Sequence, residues 1–112
     1  MTALVCGSIA YDNIMLFEGN FENQILAEQL NNLNVSFLSS SMRREFGGCA
    51  INIAYNLKLL GYDSYPMGSV GKDFGPYSTW LESKGIFQNH IRTFDEVYTA
   101  QAFIITDNRG NQ

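Results

Sequence analysis

The feature that most constrains this chain is a set of glycines placed around a helical pattern. Gly47 and Gly48 come directly before an apolar stretch with helical periodicity, and Gly61 follows that stretch. Glycine has no Cβ, so paired glycines before a helix let backbone N–H groups approach a ligand closely. A glycine just past the last turn is typical of a left-handed C-terminal cap. The pattern predicts a helix over residues 49–60 whose N-terminus belongs to a small-molecule site, with Asn52 in the first turn.

Two apolar stretches flank this helix and predict neighbouring strands of an α/β sheet. Residues 3–9 indicate a buried first strand, and residues 62–70 indicate a second strand, parallel to the first because a helix connects them. Residues spaced i, i+3, i+4 and i+7 are expected to face the sheet: Ala50, Ile53, Ala54, Leu57 and Leu60. A further helix over residues 76–84 is predicted to be capped by Asp73 and to end at Gly85.

The region before the first helix does not fit a plain βαβ unit. Residues 13–17 and 33–40 indicate short strands, and residues 21–32 carry a weak helical pattern. Asp12 lies just beyond the first strand, where ligands gather in open α/β sheets. That position predicts either a substrate contact or a turn cap. Residues 99–106 predict a strand that leads into a turn.

The spacing of Gly47-Gly48, Asn52, Ala54, Gly61 and Gly71 resembles the first signature of the ribokinase-like carbohydrate kinases, the phosphofructokinase B family. The resemblance covers essentially the whole chain. It implies an α/β fold, the N-terminal part of an αβα sandwich with a parallel sheet, plus a small β-sheet lid. The implied core is residues 1–10 and 47–95, and the implied lid segments are about 11–46 and 96–112. One departure is the glycine after Asp73, which comes one residue earlier than the family usually places it and affects that turn.

The resemblance also assigns substrate-binding residues. Asp12 and Asn52 would hold sugar hydroxyls, and a carboxylate can accept two such hydrogen bonds at once. Gly47 and Gly48 would give the substrate close backbone approach. The final strand would close over the substrate. Alternation along that strand leaves open which pair faces the ligand, Ala102 and Ile104 or Phe103 and Ile105, and the resemblance favours Ala102 and Ile104.

The family supplies its catalytic base from a later Gly-Ala-Gly-Asp motif, and these 112 residues contain no such motif. Phosphoryl transfer needs a base and donors for the developing charge. We therefore assign no catalytic residue and no metal ligand. We expect ATP and Mg²⁺ in the parent enzyme, with their sites outside this chain. The chain is expected to be the N-terminal third of a longer kinase and inactive alone.

Adenosine is the first choice of substrate, and ribose or another sugar is the alternative. Ribokinases often carry a lysine where this chain has Cys49, and residues 107–109 resemble the lid turn of adenosine kinases. Two hypotheses of other classes stay open. One is a non-catalytic module that binds a sugar or nucleoside. The other is a structural piece that pairs with a partner, or forms a homodimer, through an open lid strand.

Composition and charge exclude other classes. A net charge of −4 argues against nucleic acid as the main partner. The sequence contains no apolar run of about 18 residues and no basic leader, so it supports neither a membrane span nor a signal peptide. Two cysteines, Cys6 and Cys49, are too few for a disulfide framework and predict a reduced, cytoplasmic setting. His90, the sole histidine, is expected in a polar loop and supports neither a metal site nor a Ser-His-Asp arrangement.

Overall fold

The structure, a computed structural model, describes residues 2–23 and 38–112. The chain divides into two compact units, the first comprising Met1–Tyr11 and Phe46–Ala102, the second Asp12–Glu45 and Phe103–Gln112. The elements in chain order are β1 (Ala3–Cys6), β2 (Ala10–Phe17), a 3-10 turn (Phe21–Asn23), β3 (Ser39–Gly47), α1 (Cys49–Leu59), β4 (Ser64–Gly71), α2 (Gly75–Ser83), β5 (His90–Phe94) and β6 (Ala100–Thr106).

The first unit contains a parallel sheet of strand order β1-β4-β5. Ala3 lies opposite Ser64 in the β1–β4 pair, and Met67 lies opposite His90 in the β4–β5 pair. The predicted parallel strands on either side of a helix are therefore confirmed. The expectation for His90 was wrong, because this residue begins β5 instead of lying in a loop. Its polar neighbours suggested a loop, but pairing with β4 decides the backbone conformation.

Several aromatic side chains pack against one another in the core of the first unit. Tyr11 and Tyr77 are fully buried, with ring centroids 5.5 Å apart. Phe46 packs on both rings, 6.0 Å from Tyr11 and 4.7 Å from Tyr77. Tilted aromatic pairs of this kind add to the free energy gained from burying their area. The core residues are Ile9, Tyr11, Ala50, Ile51, Ala54, Val70, Phe74, Tyr77, Leu81 and Ile86.

The buried face of α1 differs from the predicted one. Ala50, Ile51 and Ala54 are buried, whereas Ile53 is 49% exposed and Leu60 is 72% exposed. The apolar residues of α1 extend around more of the helix than one stripe. The small side chains at 50 and 54 allow the closest approach to the sheet, so the buried face is the one that contains them.

Two further expectations for the first unit were wrong. β1 was predicted to be buried, but Leu4 is 54% exposed, because β1 lies at the edge of the described sheet and pairs there with β4. Asp73 was predicted to cap α2, but Phe74 occupies the N-cap position and no side chain caps the helix. The Asp73 carboxylate instead accepts a hydrogen bond from the Thr99 amide at 2.7 Å. The predicted helix ends are confirmed, since Gly61 and Gly85 both have positive φ.

Strands β2, β3 and β6 form a second three-stranded sheet, in the order β3-β2-β6. The predicted strands at 13–17 and 99–106 are confirmed, although β2 begins earlier, at Ala10. Asp12 therefore lies inside a strand and not in a turn. Most of the predicted helix over 21–32 and strand over 33–40 lies outside the described residues. No helix among residues 2–23 and 38–112 is long and apolar enough to cross a membrane.

A buried carboxylate organises the turn of the second unit. Asp107 accepts hydrogen bonds from the backbone amides of Phe21, Arg109 and Asn111 and from the Asn111 side chain, at 2.9–3.1 Å. Burial alone would raise the pKa of the Asp107 carboxyl, but these donors outweigh burial and lower the pKa to about 2 from an ordinary 3.8. The turn predicted from residues 107–111 is thus held together by its own first side chain.

The Asp107 carboxylate should make the second unit sensitive to acid. Because its folded pKa is depressed, its contribution to stability is present above about pH 5 and is lost as pH falls towards about 2. We expect Asp107→Asn to lower the urea midpoint at pH 6 and to lower it by a smaller amount at pH 3, measured by circular dichroism. Asp95→Asn, at an exposed turn carboxylate, is the matched control. An equal loss at both pH values would contradict this assignment.

Gly71 should be among the least replaceable glycines. A Cβ at Gly71 would overlap the backbone of Val97, Tyr98 and Thr99, whereas a Cβ at Gly75 would meet nothing within 4 Å. We expect Gly71→Ala to lower the free energy of unfolding by about 1–3 kcal/mol, because backbone must move to admit the methyl group. Gly75→Ala should change it by less than about 0.5 kcal/mol. Chemical denaturation of both variants compares them, and equal losses would refute the overlap.

Candidate functional site

The start of α1 lies against the loop that follows β1. Ser8 accepts hydrogen bonds from two amides of the first helical turn, with its Oγ from Cys49 N at 3.1 Å and with its carbonyl from Ala50 N at 3.1 Å. The first amides of a helix have no partner within the helix. Ser8 therefore satisfies two of these donors, so they are not offered to a ligand. Sequence analysis missed Ser8, because its partners lie 41 and 42 residues away and no local pattern marks it.

Gly48 explains why a glycine precedes the helix. Its φ is +94°, a conformation that favours glycine. A Cβ at Gly48 would lie 2.7 Å from Ile9 Cα and 2.8 Å from Ala10 N, and would also overlap the Ser8 carbonyl. The close backbone approach at Gly48 is made to the chain's own β1–β2 loop. A substrate contact at Gly48 stays a prediction.

Gly47 and Asn52 flank this turn. Gly47 is buried, and its carbonyl accepts a hydrogen bond from the Tyr77 hydroxyl at 2.6 Å. Asn52 donates its backbone N–H to Gly48 O at 3.0 Å, which fixes it in the first turn, as predicted. The Asn52 side chain is exposed, and its amide makes no hydrogen bond within the described residues. An exposed amide of this kind can donate to one ligand oxygen and accept from another.

Asp12 lies in β2 and belongs to the second unit. Its side chain is half-buried, and within the described residues its carboxylate forms no hydrogen bond or ion pair. The next residue, Asn13, is buried, and its Oδ1 accepts a hydrogen bond from Arg44 Nε at 3.1 Å. This bond ties β2 to β3 beside Asp12. Sequence analysis missed it, because alternation along a strand does not identify a cross-strand polar partner.

Ala102 and Ile104 lie on one face of β6, and both are half-buried. Phe103, on the opposite face, is 68% exposed. Gly47, Gly48, Asn52 and Ala102 fall in the first unit, and Asp12 and Ile104 fall in the second. Substrate-binding roles for all six residues stay predictions.

No three His, Cys, Asp or Glu side chains are close enough to hold a metal ion within the described parts of the chain. An Mg²⁺ ion needs several oxygen ligands in near-octahedral geometry, usually one or two carboxylates together with phosphates and waters. The location of the Mg²⁺ site outside this chain stays a prediction.

Comparison with known proteins decides the family. The profile of the family described as pfkB family carbohydrate kinase matches residues 11–112. This chain belongs to that family. The nucleoside kinase of Methanocaldococcus jannaschii is 35% identical to it over 81 residues, which make up 70% of this chain and 27% of that protein.

Solved structures of a second relative cover the whole chain. The Burkholderia thailandensis nucleoside kinase in complex with inosine is 49% identical, with a TM-score of 0.82, and the match covers 100% of this chain and 34% of that one. Its complex with ADP-inosine is 51% identical, with a TM-score of 0.71, covering 100% of this chain and 35% of that one. The predicted α/β fold, the N-terminal part of a ribokinase-like fold, is confirmed. The chain spans about a third of the length of these relatives.

In this pfkB-family chain, the Cys49 thiol lies at the start of α1, where its surroundings lower its pKa. The Ser8 hydroxyl donates a hydrogen bond to Cys49 Sγ at 3.5 Å. This bond, together with hydrogen bonds from the backbone of Ser8, Cys49 and Ala50, outweighs the effect of burial and lowers the pKa of the Cys49 thiol below its ordinary value. We expect the Cys49 side chain to react with alkylating agents at lower pH than a thiol without these donors.

Ser8→Ala should raise the pKa of the Cys49 thiol, because it removes the donor that stabilises the thiolate. We expect the pH midpoint for iodoacetamide alkylation of Cys49, followed by peptide mass spectrometry, to move upward. Ser69→Ala, at an exposed serine in β4, is the control and should leave the midpoint unchanged. An unchanged midpoint in Ser8→Ala would show that the hydroxyl does not act on the thiol.

Proposed function

We propose that this chain is the substrate-binding part of an ATP-dependent nucleoside kinase that phosphorylates a ribose-type hydroxyl. The observation that carries the proposal is the 49% identity, over the whole chain, to the B. thailandensis nucleoside kinase whose structure contains inosine. Membership in the pfkB carbohydrate kinase family supports the reaction class. The share of the relatives that this chain spans, about a third, supports a role for it as one part of such an enzyme.

Asp12 and Asn52 are the residues we assign to the ribose hydroxyls. Both side chains are accessible, and neither makes a hydrogen bond within the described residues, so their bonding capacity is available to a ligand. A carboxylate accepts hydrogen bonds from two neighbouring hydroxyls, and the amide adds one donor and one acceptor. Gly47 and Gly48 provide backbone, and Ala102 and Ile104 provide apolar surface beside the ligand. These residues bind and orient the nucleoside.

We propose a purine nucleoside as the ligand. Adenosine was the first choice from sequence, and inosine, present in the B. thailandensis complex, has the same ribose and a related base. ATP is proposed as the phosphate donor, because another structure of that relative contains ADP-inosine. We place the ATP and Mg²⁺ sites and the catalytic base of the parent enzyme outside these 112 residues. This chain would then bind a nucleoside without transferring phosphate.

Binding of inosine by the 112-residue chain, measured by isothermal titration calorimetry, tests the assignment. We expect a measurable Kd for inosine, and at least about tenfold weaker binding for both Asp12→Ala and Asn52→Ala, because each removes hydrogen bonds to hydroxyls. Asn52→Ala is informative because alanine favours helix, so lost binding could not be attributed to a weakened helix. With ATP and Mg²⁺ added, we expect no nucleoside monophosphate by chromatography.

The matched controls are Asp95→Ala and Asn89→Ala, which remove the same groups at exposed positions. Both should bind like the unmodified chain. No heat with inosine, adenosine or ribose would refute nucleoside binding. Binding of ribose with an affinity equal to that of inosine would favour a sugar kinase parent, because the base would then contribute nothing.

A further inference from the structure

The turn that follows β4 is bonded to the chain segment that leads into β6. Lys72 N donates to Val97 O at 2.9 Å, and Gly71 N donates to the Thr99 hydroxyl at 2.9 Å. The Asp73 carboxylate accepts in return, from Thr99 N at 2.7 Å and from Gln101 Nε2 at 3.3 Å. Four hydrogen bonds thus join two segments that lie about 25 residues apart in sequence.

Asp73 is also hydrogen-bonded to strand β2. The Tyr11 hydroxyl, whose ring is fully buried, donates to the Asp73 carbonyl at 2.8 Å. Asp73 therefore holds β2 through its backbone and the start of β6 through its side chain. The chain passes from the first unit to the second directly after Tyr11 and again directly after Ala102.

Burial makes these bonds costly to lose. Thr99 is 2% exposed. Gly71 is also buried, and it lies so close to the backbone of Val97–Thr99 that a Cβ would not fit there. A buried amide without a partner loses its hydration without compensation, and a charged acceptor forms a stronger bond than a neutral one. Asp73 is not used to cap α2, although its sequence position would suit that role. Its carboxylate instead accepts hydrogen bonds from Thr99, just before β6, and from Gln101, within β6.

We propose that Asp73 is a positioning residue for nucleoside binding, which anchors the two strands that carry candidate ligand contacts. Asp12 directly follows Tyr11, and Ala102 directly follows Gln101. Asp73 is hydrogen-bonded to Tyr11 and to Gln101. It therefore sets the positions of Asp12 and Ala102 without touching the ligand. The proposal rests on the proposed function, because it requires that Asp12 and Ala102 serve a nucleoside.

The test compares Asp73→Asn with the unmodified chain by inosine titration and by amide hydrogen exchange in NMR. We expect the Kd for inosine to rise about tenfold, and the Thr99 and Gly71 amides to exchange at least about tenfold faster. Amides in the middle of α1, such as Ala54, should keep their exchange rates, because the core is retained. Asp63→Asn, whose carboxylate pairs with Lys58 on the surface, is the matched control and should change neither quantity.

Tyr11→Phe is the second variant and keeps the buried ring while removing the hydroxyl bonded to Asp73. We expect it to weaken inosine binding by a smaller factor, about threefold, and it decides the matter if Asp73→Asn does not fold. Faster Thr99 exchange in Asp73→Asn with a Kd within twofold of the unmodified chain would overturn the positioning role. If amide exchange became equally faster at Thr99 and Ala54 while the Kd of the folded fraction stayed unchanged, Asp73 would contribute only to the overall stability of the chain.

Failure of the proposed function gives a different result. If the unmodified chain binds no nucleoside, the positioning role falls with that function. The exchange rates then still report whether Asp73 holds the Thr99 amide. If the unmodified chain binds inosine but Asp73→Asn binds it equally well, the proposed function stands and the positioning role alone is wrong.

Discussion

The close contact between Gly48 and the backbone of Ser8–Ala10 is the constraint on which the first unit depends. It places the start of α1 directly on the loop that leaves β1, at a separation that no side chain would allow. Ser8 then satisfies two amides of the first helical turn, which have no partner inside the helix. With the helix fixed at this end, its small residues Ala50 and Ala54 lie in the core, and Leu60 is left outside. The glycines are therefore structural residues of this chain, whatever they also offer to a ligand.

Two buried tyrosines fix the backbone near the points where the chain leaves and re-enters the first unit. The rings of Tyr11 and Tyr77 lie in the core. The Tyr11 hydroxyl donates a hydrogen bond to the Asp73 carbonyl, and the Tyr77 hydroxyl donates one to the Gly47 carbonyl. A buried hydroxyl without a partner would cost free energy, so each ring fixes a specific backbone position as well as filling space. Aromatic packing and polar satisfaction are thus provided by the same side chains.

These contacts separate two tasks in the proposed nucleoside site. The residues that we assign to the ligand, Asp12 and Asn52, have accessible polar groups and make no side-chain hydrogen bonds within the described residues. The residues that we propose to position them, Tyr11, Gly48 and Asp73, contact the chain itself. A binding group that is free to meet a ligand must be positioned by its neighbours, because it contributes nothing to its own placement. Substitutions in the second set can therefore alter binding without removing a ligand contact.

Features that depend on short-range spacing could be predicted from the sequence. The helix over 49–60, its end at Gly61 and the family signature all follow from residues fewer than 25 positions apart. The two parallel strands follow from two local apolar patterns with a helix between them. Tertiary contacts settle which face of α1 is buried and why Asp73 does not cap α2. They also bond Ser8 to the start of α1 and Tyr11 to Asp73. Ser8 acts on Cys49 across 41 residues, and Tyr11 acts on Asp73 across 62. Local periodicity carries no information about such partners, because packing and buried hydrogen bonds select them only when distant segments meet.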